Sequence, residues 1–101
     1  MADLKTAAEL SAVSQDNLVV FLQTDVETCS TFANIVETEL SLDMEHARAA
    51  FAKAERGCEV IEHFTARVQD EAQRVQIEQS LTLLRLRLDA LEAKNLSLHK
   101  G

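Results

Sequence analysis

Apolar residues at Leu18, Leu22, Val26, Cys29, Ala33, Val36 and Leu40 recur at intervals of three and four, the spacing that gathers them on one face of an α-helix. The pattern predicts a first helix over about 16–40, with Asp16 as its N-cap and Asp25 and Glu27 on the solvent side. Local propensity pulls the other way. Val19, Val20, Thr24, Val26, Thr28, Thr31, Ile35, Val36 and Thr38 are β-branched and lose χ1 freedom in a helix. Each costs only tenths of a kcal/mol relative to alanine, about what one good packing contact returns, so the stripe decides for helix.

A second stripe, Met44, Ala47, Phe51, Ala54, Cys58 and Ile61, begins directly after Ser41-Leu42-Asp43, whose polar side chains suit a helix cap. It predicts a helix over about 42–67, and so short a connection makes the first two helices antiparallel neighbours. Ala47, Ala50, Ala54 and Gly57 line one side of it, where small residues let another backbone approach. Gly57 inside the pattern costs roughly 1 kcal/mol relative to alanine, which calls for either such an approach or a kink.

The second stripe extends through Val68, Ala72 and Val75, but the strong series Ile77, Leu81, Leu84, Leu88 and Leu91 is displaced from it by two positions. Two positions turn the apolar face by about 200°, to the opposite side. Two arrangements accommodate that jump. In one, the chain turns near Arg67 to Asp70, with Asp70 capping and Gln73 completing a capping-box spacing, and a third helix runs over about 70–95. In the other, one long second helix continues outward and pairs with a second copy. The fold class is all-α in both: an antiparallel bundle of three helices or a helical hairpin, forming one domain over 1–101 in which 1–14 and 96–101 are flexible or weakly helical. Residues 4–13 could alternatively fold back as a fourth helix.

The last helix is leucine-dense. Leu83, Leu86, Ala90 and Ala93 form a further stripe beside the main one, and a helix apolar on two sides needs partners on both. Leu81, Leu83, Leu84, Leu86, Leu88 and Leu91 are therefore the candidate interface, with Leu84, Leu88 and Leu91 as its central anchors. The partner this implies is a second copy of the chain or another helical protein.

Composition agrees with helices: proline, tryptophan and tyrosine are absent, and of two glycines one is the terminal Gly101, so hairpin and tight-turn residues are nearly missing. The net charge of −7 is unevenly placed. Met1 to Leu40 holds seven acidic residues against Lys5 alone, the segment from Ser41 to Arg67 five against four, and the remainder five of each. With no lysine or arginine between Lys5 and Arg48, the first segment cannot neutralise phosphates, so neither nucleic acid nor an anionic membrane is an expected partner. No apolar run approaches the roughly 18 residues of a membrane span, and the start Met1-Ala2-Asp3-Leu4-Lys5 does not read as a secretory signal. A cytoplasmic setting, with Cys29 and Cys58 as free thiols, is the expectation.

Chemistry finds little to build on. Asp43-x-x-His46, with Glu39 or Glu45 near it, is the best metal-like grouping, but it sits at a helix cap beside the core stripe. Glu59 and His63 are one turn apart on the predicted solvent side, a spacing that also suits surface pairing. Cys29 and Cys58 lie at unequal distances from the turn near Ser41, about 7.5 Å apart along the axis, too far for an intrachain disulfide once the helix separation is added. No Cys-x-x-Cys, glycine-rich phosphate loop, His-Glu-x-x-His or nucleophile elbow occurs. His46 and His63 also lack the nearby lysine and glycine of a phosphotransfer histidine. The expectation is a non-enzymatic, self-associating protein-interaction module without cofactors. An acidic chaperone or adaptor shielding a helical client segment is the first alternative, and a metal- or ligand-binding bundle the second.

Overall fold

The computed structural model describes residues 4–94, with side-chain surroundings from Ser14 onward. Three helices follow one another: α1 over Leu4–Glu39, α2 over Met44–Thr65 and α3 over Glu71–Lys94. Each packs against the other two, giving an all-α three-helix bundle with α2 antiparallel to both neighbours. At 1.5 Å per residue α1 is about 54 Å long, and it sets the long dimension of a molecule measuring 59 × 23 × 18 Å.

The core follows the predicted stripes closely. Leu22, Cys29, Ala33 and Val36 of α1 meet Ala47, Phe51, Ala54, Cys58 and Ile61 of α2, and α3 contributes Ile77, Leu81, Leu84, Leu88 and Leu91. Val19 is buried as well, whereas Leu18 is only half-buried at the edge. The β-branched residues that argued against helix in α1 are reconciled locally. The exposed Thr28, Thr31 and Thr38 each donate their hydroxyl to the carbonyl four residues back, at 3.0–3.1 Å, so the hydroxyl is satisfied inside the helix.

Both connections are made by caps rather than by glycine or proline. Asp43 ends the first turn with extended backbone, and its carboxylate accepts from the His46 amide at 3.1 Å. Asp70 does the same for α3, accepting from the Gln73 amide at 2.8 Å, the position an N-cap side chain reaches in the first turn. Between α2 and α3, Val68 turns inward and is fully buried. The side-chain amide of Gln15 holds the outside of this connection, donating to the Arg67 carbonyl at 3.2 Å and accepting from the Gln69 amide at 2.9 Å.

One expectation is corrected here, and two of the alternatives are excluded. The chain turns at Ala66 to Asp70, so no long second helix forms. The first helix starts at Leu4 and not near Asp16, so Asp16 lies within α1 and caps nothing. Residues 4–13 continue α1 without a break and do not fold back as a fourth helix. No proline or glycine interrupts the chain there, and nothing in the local sequence stops a helix that is already propagating.

Candidate helix-docking surface

The six leucines proposed as an interface divide by face. Leu81, Leu84, Leu88 and Leu91 are buried in the chain's own core, Leu84 and Leu88 at 4% exposure. Leu83 and Leu86 point outward, 69% and 59% exposed. The anchors expected at Leu84, Leu88 and Leu91 are thus engaged inside the chain. They face the groove between α1 and α2 once the turn at Asp70 has reset the phase of the last helix.

Around Leu83 and Leu86 the exposed surface has a definite pattern. Ala72, Val75, Gln79, Thr82, Leu86, Ala90 and Ala93 are all exposed and follow one another at intervals of three and four, which places them on the face of α3 diametrically opposite the core. Leu83 lies along one edge of this stripe. From end to end the stripe contains no charged residue, although α3 carries Glu71, Arg74, Glu78, Arg85, Arg87, Asp89, Glu92 and Lys94. Val75, Gln79, Thr82 and Leu83, with Glu78, line a shallow open depression along it. Sequence reasoning missed Ala72, Val75, Gln79 and Thr82, because it extended the second stripe through Ala72 and Val75. The Asp70 cap was the available signal, since a new helix beginning at Glu71 assigns both residues to the outer face.

Basic residues of α3 turn toward the neighbouring helices. Arg87 pairs with Glu37 at 2.8 Å and donates to the Asn34 side chain at 2.6 Å, tying α3 to α1. Arg85 pairs with Glu62 of α2. Arg74 donates to the Val68 carbonyl at 3.2 Å and lies 3.7 Å from Glu78. Such exposed pairs contribute at most about 1 kcal/mol each; those of Arg85 and Arg87 cross to α2 and α1, and the buried face of Ile77, Leu81, Leu84, Leu88 and Leu91 turns the uncharged stripe outward.

A group of aromatic side chains, exposed Phe21 with half-buried Phe32 and Phe64, lies on the α1–α2 seam. Phe21 meets Phe64 edge to face with centroids 6.1 Å apart, and His63 and the Arg67 guanidinium also cover the Phe64 ring. Lys53 stands 5.7 Å over Phe32. These rings are occupied with one another and with cations, leaving no open aromatic cage among them.

The groupings considered for chemistry are dispersed. Asp43 is used as the α2 cap, and His46 stands 3.9 Å from Glu39 on the surface. Among the described residues no three His, Cys, Asp or Glu side chains come together as a metal site would require. His99 lies outside the described residues. Cys29 and Cys58 are buried free thiols. Burial, then the proximity of Cys58 and Asp25, pushes the Cys29 thiol up to about 11, and burial likewise raises Cys58. Both therefore stay protonated near neutrality and are poor nucleophiles. Every buried side-chain polar atom among the described residues has a hydrogen-bond partner, so none is left waiting for a ligand. No helix is long and apolar enough to cross a membrane among the described residues.

No protein-family model matches the chain, and no curated protein or solved structure matches it.

Proposed function

We propose that this chain is a non-enzymatic helical interaction module that self-associates through the outer face of α3, working in the cytoplasm, where its buried cysteines remain thiols. The observation that carries this reading is the uncharged stripe from Ala72 to Ala93. A solvated helix face normally intersperses charges among its polar residues, and a contiguous uncharged face with exposed leucines is the kind of surface that is covered by another helix. Neither nucleic acid nor an anionic membrane is a partner in this reading, since the stripe offers no cation to phosphates.

Sedimentation equilibrium tests it on the wild-type chain and on the L83E/L86E variant, with helicity and thermal unfolding measured for both. The wild type is expected to exceed the monomer mass of 11.2 kDa at micromolar concentration, and the variant to return to it with its helicity retained. A wild type that stays at the monomer mass up to about 0.5 mM, or a folded variant that associates as the wild type does, overturns the proposal. Such concentrations reach associations as weak as a few kcal/mol.

A further inference from the structure

We draw no further inference here: the strongest candidate, the uncharged outer face of α3 from Ala72 to Ala93, is the surface on which the proposed function already rests, and nothing in the structure shows what covers it.

Discussion

At the scale of single residues, Gly57 is explained by one atom. Its backbone is ordinary right-handed helix, since no described glycine has a positive φ. A Cβ built on Gly57 would stand far inside contact distance of the Cys29 sulfur, at 2.1 Å. The glycine therefore serves the approach of α1 to α2, with the thiol of one helix filling the space that a side chain on the other would take. Gly57→Ala gains about 1 kcal/mol of helix propensity but meets overpacking of about 1–3 kcal/mol, and a net loss of about 1–2 kcal/mol is expected. Cys29→Ala alone leaves a small void and costs about 1 kcal/mol. In the double variant the new methyl enters the space vacated by the sulfur, so its stability by urea unfolding should exceed the additive expectation by at least about 1 kcal/mol. Additive losses would show that the two positions do not share that space. The alanine-and-glycine side of α2 announced a close approach in the sequence. That the approaching atom belongs to Cys29 did not follow from spacing, because the relative axial positions of two helices depend on packing at every layer between them.

Among the elements, the connection between α2 and α3 shows what a sequence without proline and almost without glycine uses to turn. The two-position shift between the stripes required a break or a second partner, and the Asp70-Gln73 spacing offered a cap. Both features were legible, and the three-helix alternative drawn from them is the one that forms. What was not legible is the clamp that makes the turn, because Gln15 is fifty-two residues from the Arg67 carbonyl it bonds and belongs to a stretch whose helix start was placed too late. A cap and a clamp contribute separately. Removal of the Gln15 amide by Gln15→Ala deletes two hydrogen bonds at a partly exposed site, a loss of about 1–2 kcal/mol in all. The effect should be local. Hydrogen exchange is expected to accelerate first at the Gln69 amide and through the first turn of α3, while amides in the middle of α1 and α2 keep their protection. Uniform acceleration across all three helices would mean that the connection opens only with the whole bundle.

For the whole molecule, the two stripes of α3 part company: one is buried in the bundle and the other is exposed. The sequence displayed both stripes without stating which faced inward, because the answer depends on the groove that α1 and α2 form. Leu84, Leu88 and Leu91 are the richer stripe and close that groove, while Val75, Leu83 and Leu86 remain outside. Substitutions of the same chemistry on the two faces should therefore have opposite outcomes. A chain of this length has a stability of about 5–15 kcal/mol, and an unpaired carboxylate in the core costs several kcal/mol even after its pKa shifts. Leu88→Glu places that group at a core site that is 4% exposed, so the variant is expected to lose cooperative thermal unfolding at neutral pH. Leu86→Glu adds the same charge at a site 59% exposed and should keep the wild-type helicity, its effect being confined to association. Lowering the pH toward 4 protonates the introduced carboxyl and should partly restore helix in Leu88→Glu, a recovery that circular dichroism reads directly. If Leu88→Glu instead melts cooperatively near the wild-type temperature at pH 7, the inward face of α3 is wrongly assigned, and the stripe offered to a second copy would have to be the one through Leu84 and Leu88.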